Sequence, residues 1–233
     1  MRKFFISDIH GHYEPFIEVL EAAKFKPGVD ILIVGGDMID RGPDSGLVIK
    51  KVKQLMDRHP HHTFALMGNH EEMVRYYLEG ISHMWSLHGG VEASKSFKEV
   101  FKANKTELNE HINWMLNLPL IMEDEDGIYC HAGIDFSTDL DNQSRDVLWM
   151  NTNELFALTI DEILDYTGDK KIYRGHNPVT EVKTDMARVC CDLGMGVFPN
   201  DLAALALIDI TNQEYYRFCA KTSQVTQHHF VLF

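Results

Sequence analysis

Three short apolar runs in this chain each break off into a polar cluster. Lys3–Ser7 leads to Asp8-Ile9-His10, Ile31–Gly35 to Gly36-Asp37, and Thr63–Met67 to Gly68-Asn69-His70-Glu71. From Asp8 to Asp37 is 29 residues and from Asp37 to Asn69 is 32, the length of one strand–helix–strand unit. The segments between them have helical periodicity: Phe16, Val19, Leu20 and Ala23 share one face, and so do Val48, Val52, Leu55 and Met56 behind the capping pair Asp44-Ser45. A β-α-β-α-β order calls for a parallel sheet with right-handed crossovers. All three clusters then leave its carboxyl edge, where α/β proteins build their sites. Asp8, His10, Asp37 and Asn69 are therefore aimed at one crevice.

Beyond this repeat the pattern changes. After Gly89-Gly90, the positions of Ser94, Phe97 and Phe101 predict one helix. Leu108, Ile112, Met115 and Leu116, following Thr106 and stopped by Pro119, predict another. Ile128–His131 and Ile172–Arg174 read as strands, and the capping box Thr159-x-x-Glu162 opens a short helix ending near Gly168. From Val189 to Phe218, strand-like runs alternate with turns at Gly194, Gly196 and Pro199-Asn200, a hairpin pattern. With no repeat array, linker or low-complexity tract, one α/β domain over residues 1–233 is expected.

Composition narrows the partners. Lys+Arg number 22 against 35 Asp+Glu, a formal charge of −13 with no cationic stripe, so a nucleic-acid partner is not expected. A 45% hydrophobic and 24% charged composition excludes a disordered chain. The apolar segment before Asp8 is too short for a secretory or spanning helix, which predicts a cytoplasmic protein with no membrane partner. Cys130, Cys190, Cys191 and Cys219 lack Cys-x-x-Cys spacing and suit reduced thiols.

Carboxylate, amide and imidazole groups in one crevice suit a borderline or hard divalent ion such as Mn, Fe, Zn or Co. His131 in Tyr-Cys-His-Ala-Gly and His176 in Tyr-Arg-Gly-His-Asn-Pro add imidazoles at strand ends, next to Ala132, Gly133 and Gly175, whose small size lets backbone approach. Six such ligands exceed the needs of one tetrahedral ion. They fit two ions about 3.5–4 Å apart that share a carboxylate, the arrangement that promotes in-line displacement at phosphorus. Covalent routes lack a candidate nucleophile, because no Cys is followed six residues later by Arg and Gly-x-Ser-x-Gly is absent.

Together, Asp8-x-His10, Gly36-Asp37-Met38-Ile39-Asp40-Arg41-Gly42, Gly68-Asn69-His70-Glu71, His131 and Gly175-His176 resemble the calcineurin-like metallophosphoesterases, in their phosphoprotein phosphatase branch. Val189–Asp209 resembles that branch's closing strand pair, and Trp85-x-x-x-Gly89-Gly90 is similar to bacterial members, which include symmetrical dinucleoside tetraphosphate hydrolases. The resemblance implies a sandwich of two mixed β-sheets flanked by helices. It implies two divalent ions, manganese foremost: Asp8, His10 and Asp37 on one, with Asp37 bridging to a second held by Asn69, His131 and His176. A metal-activated water would attack. His70 would protonate the leaving group, Asp40 would orient His70, and Arg41 would grip the phosphate, with Asn69 and His70 also facing the substrate. The chain departs from the pattern after Leu148-Trp149, where the branch has a second phosphate-binding Arg and this sequence has Met150-Asn151-Thr152-Asn153. Arg145, Arg174, Arg188 and Asn151 stand as substitutes.

The activity expected from the resemblance is hydrolysis of phosphoserine, phosphothreonine or phosphotyrosine monoesters, on a phosphorylated protein or a small phosphoester. The alternative is a symmetrical dinucleoside tetraphosphate hydrolase, and a non-catalytic scaffold is a third reading. Other features read as framework: His59, His61 and His62 as a loop, His228-His229 as a surface tail, Met84 and Trp85 as core or groove wall, Glu123–Asp126 as a hairpin turn, and Glu71 and Glu72 as a helix cap or salt-bridge partners.

Overall fold

The computed structural model describes residues 1–232. β1 (Lys3–Ile6), α1 (Tyr13–Ala22), β2 (Ile31–Val34), α2 (Ser45–Arg58) and β3 (Thr63–Ala65) follow in the expected order. β1 pairs with β2 and β2 with β3, both parallel, with Phe4 opposite Leu32 and Ile33 opposite Phe64. All of β1 is buried, and successive side chains take opposite faces. Phe4 and Ile6 pack with Phe16 and Val19 of α1 and Val48 and Val52 of α2, whereas Phe5 and Ile33 face away from these helices. Strands apolar on both faces must lie between two layers.

The second layer follows four helices: α3 (Asn69–Leu78), α4 (Met84–Leu87), α5 (Gly90–Phe101) and α6 (Lys105–Leu116). α6 begins ahead of Thr106 because the Asn104 side chain accepts from Glu107 N–H and caps it. β4 (Ile121–Glu123) and β5 (Gly127–Cys130) form an antiparallel hairpin, and Lys3 Nζ bonds both Asp124 and Asp126 of its turn. α7 (Thr152–Leu155) and α8 (Ile160–Thr167) precede β6 (Lys171–Arg174), β7 (Lys183–Thr184) and β8 (Arg188–Cys190). The Thr159–Glu162 capping box forms at the start of α8. The chain continues through β9 (Ala204–Asp209), β10 (Glu214–Cys219), β11 (Gln224–His229) and β12 (Val231–Leu232).

One mixed sheet runs β11-β10-β9-β1-β2-β3 and the other β12-β7-β8-β6-β5-β4. Between them, Phe5, Ile33, Ala206 and Ile208 meet Tyr129, Tyr173 and Val189. α8 covers the outer face of the second sheet, with Ile163 packed on Ile128 and Ile172. The result is the two-sheet sandwich flanked by helices that the resemblance implied. No helix among the described residues is long and apolar enough to cross a membrane.

Two expectations for the tail need correction. β8 and β9 are not a strand pair: β8 lies between β6 and β7 in one sheet, and β9 lies between β1 and β10 in the other. The turns at Gly194 and Pro199 therefore carry the chain between sheets, and the hairpins are β9–β10 and β10–β11. His228 and His229 belong to edge strand β11 and are not a tail.

Candidate active site

β5, β6 and β8 are parallel, as are β1, β2 and β3, and their carboxyl ends meet. Gly175 N–H donates to His131 O at 2.9 Å, and His131 Nδ1–H donates across the sandwich to Gly35 O at 2.9 Å. A Cβ on Gly175 would strike the Asp8 and Ser7 side chains, so glycine lets this strand end approach. Gly133, by contrast, makes room for Met150. Among the described residues, Asp8, His10, Asp37, Asp40, Arg41 and His176 all have positive φ, between 46° and 72°. Such backbone is costly for residues with a side chain, and it clusters where function sets the conformation.

Asp37 lies at the centre, 2% exposed. Its Oδ2 is 3.6 Å from His10 Nε2 and 3.9 Å from His70 Nε2. Its Oδ1 is 3.5 Å from His131 Nε2 and accepts His70 N–H, at the start of α3, at 3.0 Å. His10 Nδ1–H donates to Ile39 O at 2.9 Å, which leaves Nε2 with a lone pair facing the carboxylate. His131 Nε2 likewise presents a lone pair to Asn69 Oδ1 at 2.9 Å, and His176 Nδ1 lies 3.0 Å from the same oxygen. Burial lowers the pKa of His10 and His131 and brings that of His176 down to about 3, so these rings are neutral. Acceptors turned toward acceptors in a buried site call for a cation between them. His10, Asp37 and His70 form one set of donor atoms within 4.8 Å of one another, and Asp37, His131 and His176 form another. The residues thus fit two ions with Asp37 common to both sets.

Asp8 lines the same cavity but belongs to neither set. Its Oδ2 accepts from Ser7 Oγ at 2.6 Å, and its carboxylate receives His176 N–H at 3.1 and 3.2 Å. His70 Nδ1–H donates to Asp40 Oδ2 at 2.6 Å, and its Nε2 is 3.3 Å from Arg41 Nη2. Burial raises the Asp40 carboxyl to about 8 and lowers the His70 imidazole. Asp40 N–H donates to Ser45 Oγ at 3.0 Å, so Ser45 supports the site, and neither it nor Asp44 caps α2 with its side chain.

The cavity is about 120 Å³, lined by Asp8, His10, Asp37, Asn69, His70 and His176 with Arg41, Pro178, Asp192 and Val197 at its sides. A volume of this size is enough for a phosphoryl group. None of the substitutes for the second arginine lines it. Arg145 pairs with Glu72 at 2.6 Å, Arg188 pairs with Asp185, Arg174 is buried beneath Gly175, and the Asn151 side chain caps α7.

Comparison with protein families matches residues 1–207 to the calcineurin-like phosphoesterases. The chain belongs to that family. A curated relative, the symmetrical bis(5'-nucleosyl)-tetraphosphatase of Cronobacter sakazakii, is 29% identical over 167 residues, covering 69% of this chain and 54% of the relative. The chain thus spans about half the length of that relative. Two solved structures share the fold. One, provisionally described as a diadenosine tetraphosphatase, has a TM-score of 0.61 at 18% identity, covering 99% of this chain and 94% of that one. The other, a serine/threonine phosphatase from Saccharomyces cerevisiae, has a TM-score of 0.68 at 18% identity, covering 99% and 80%.

Two features of this site were not marked as functional by the sequence. Asp192, 3% exposed, follows β8 just as Asp8, Asp37, His131 and His176 follow their strands. Burial beside Asp8 raises its pKa, and its Oδ1 accepts Gly194 N–H at 2.8 Å. The signal for it was the apolar run Val189–Cys191 breaking into an acid. Trp85, taken as core or groove wall, donates Nε1–H to Asp40 Oδ1 at 2.8 Å.

Proposed function

We propose that this phosphoesterase, acting as one domain, hydrolyses a symmetrical dinucleoside tetraphosphate between its phosphates. The observation that carries this reading is that, among the described residues, Arg41 is the only guanidinium lining the cavity. A terminal phosphoryl group presents three non-bridging oxygens, and an internal phosphorus presents two. A site with one arginine matches the smaller number. The tetraphosphatases among its curated relatives support the same substrate.

In this reading Asp8, His10, Asp37, Asn69, His131 and His176 hold two divalent ions, and manganese suits their oxygen and nitrogen donors. When bound, such ions lower the pKa of water toward neutrality and neutralise phosphate charge. Arg41 aligns the phosphate with its planar fork. His70 would deliver a proton from Nε2 to the leaving oxygen once it is protonated there, with Asp40 holding Nδ1–H and stabilising that imidazolium, and the proton lost by the attacking water balances the one given up. The four free cysteines accord with a reducing, cytoplasmic setting.

The His70–Asp40 pair also favours a second reading, a phosphoprotein phosphatase. A serine alkoxide is a far poorer leaving group than a nucleoside diphosphate and depends more on a proton donor. The test is to load the protein with Mn and compare nucleotide release from diadenosine tetraphosphate with phosphate release from phosphoserine, phosphothreonine and phosphotyrosine peptides. ADP as the preferred product supports the first reading. Preference for the peptides overturns it in favour of the second, and turnover of neither leaves a scaffold.

A further inference from the structure

Asp40 is fully buried, and each of its carboxylate oxygens has a partner: His70 Nδ1 on Oδ2 at 2.6 Å and Trp85 Nε1 on Oδ1 at 2.8 Å. Trp85 is itself 6% exposed, packed edge-on against Tyr77 with ring centroids 5.2 Å apart. The segment after it is moulded to the same place. Gly89 has φ +110°, and a Cβ there would strike Arg41 N and come within 2.9 Å of Asp40 Cβ. A Cβ on Gly90 would come within 2.6 Å of the Trp85 indole. Packing alone needs only an aromatic ring, which phenylalanine would supply. What tryptophan adds is a donor aimed at the carboxylate oxygen that His70 leaves open.

We infer that Trp85 is a positioning residue, which fixes the plane of the Asp40 carboxylate through its indole N–H and thereby the orientation of the His70 ring. The inference rests on the reading of His70 as the proton donor. A carboxylate held at one oxygen can swing about its Cβ–Cγ bond, and the imidazole bonded to the other oxygen swings with it. Two directed bonds remove that freedom, and misplacing a proton donor lowers turnover without affecting substrate affinity.

Trp85→Phe keeps the ring and deletes the donor. On whichever of the two substrates the Mn-loaded protein turns over, kcat should fall about tenfold, the rate equivalent of one lost hydrogen bond, with KM and metal content unchanged. In an Asp40→Ala background, which removes the acceptor, the same substitution should cost nothing further. An equal fold-loss in both backgrounds would mean packing alone and overturn the inference. A readout independent of turnover, and of how well Trp85→Phe folds, is the Trp85 indole proton of the wild type. It should resonate downfield and move upfield in Asp40→Ala, which removes both acceptor oxygens, and an unmoved resonance refutes the bond. If His70→Asn turns over as wild type, the reading of His70 fails whatever Trp85 does. If His70→Asn is crippled and Trp85→Phe is not, only the present inference falls.

Discussion

Glu71 Oε2 accepts the backbone N–H of Asp37 at 2.8 Å, a bond from the first turn of α3 to the loop after β2. The same carboxylate takes Met38 N–H at 2.9 Å and Gly68 N–H at 2.8 Å, and it is fully buried. It therefore holds Asp37 in its left-handed conformation, φ 51°. Glu71→Gln turns one acceptor into an amide N–H facing a backbone N–H. We expect a loss of about 1–3 kcal/mol of stability in denaturant titrations and a roughly 10- to 100-fold weaker metal affinity. Unchanged affinity would detach Glu71 from the placement of Asp37.

His70 belongs to a donor set with His10 and Asp37, yet its Nδ1 is engaged by Asp40. Its two possible roles separate on substitution. As a proton donor, His70→Asn lowers kcat by about 10²–10⁴-fold and leaves two metals by elemental analysis. Loss of one ion along with turnover would make His70 a ligand.

The β1-β2-β3 half was legible because its strands alternate with strongly periodic helices, and local periodicity is the signal a sequence shows most openly. That β8 and β9 lie in different sheets was not, because Val189 and Leu205 look alike wherever their partners are. Pairing such as Phe5 with Ile208 spans nearly the whole chain. β11, with Val225 as its one apolar residue, has no alternation to read, since it is held by pairing with β10 along an exposed edge. At the site, residues at the ends of the periodic strands stood out as expected ligands. Asp192 did not, because a single acid after Val189–Cys191 has no neighbouring motif to mark it, and Trp85 stood out only as groove wall and as part of Trp85-x-x-x-Gly89-Gly90, since its bond to Asp40 is made from a four-residue helix.

Metal binding and stability should be linked through Asp37. Without a cation its carboxyl is raised well above the normal range, first by burial and then by Glu71 and Asp8. Ions that bind only the folded chain stabilise it by mass action, about 2.7 kcal/mol at 100 times Kd. Chelation should therefore lower the melting temperature of the wild type, and Mn should restore it. Asp37→Asn should melt at one temperature with or without Mn. A Mn-dependent rise in that variant would remove Asp37 from the shared position.

Cys219, at the end of β10, is the one partly exposed cysteine among the described residues. Hydrogen bonds from Thr222 bring its thiol down to about 7, whereas burial raises Cys130, Cys190 and Cys191. The thiolate is the reactive form, so reactivity rises with pH through the folded-state value. Iodoacetamide should label one cysteine in the native protein, with a rate midpoint near pH 7 instead of about 8.5. Cys219→Ser should abolish this labelling, and labelling of a second residue before unfolding would contradict the burial of the other three.

Arg174 is 1% exposed and spans His176: its Nη2 donates to Gly175 O at 2.6 Å and to Asn177 Oδ1 at 2.5 Å, on either side of that imidazole. Nη1 donates to Cys190 Sγ at 3.4 Å, and Nε has no partner among the described residues. The two Nη2 bonds hold the loop in which His176 has φ 68°. Arg174→Lys retains the charge, but its single, shorter ammonium cannot fill the seat of a planar guanidinium that serves the two oxygens from Nη2 and Cys190 Sγ from Nη1. Arg174→Met removes the charge and both Nη2 bonds, leaving Gly175 O with only the Asn177 N–H at 2.8 Å. Both should lose about 1–3 kcal/mol, and both should weaken one of the two metals while leaving the other bound, because His10 is held independently through Ile39 O. Isothermal titration with Mn, read as two sites against one, distinguishes this from a uniform loss of both ions, which would mean that Arg174 supports the whole sandwich and not the His176 loop.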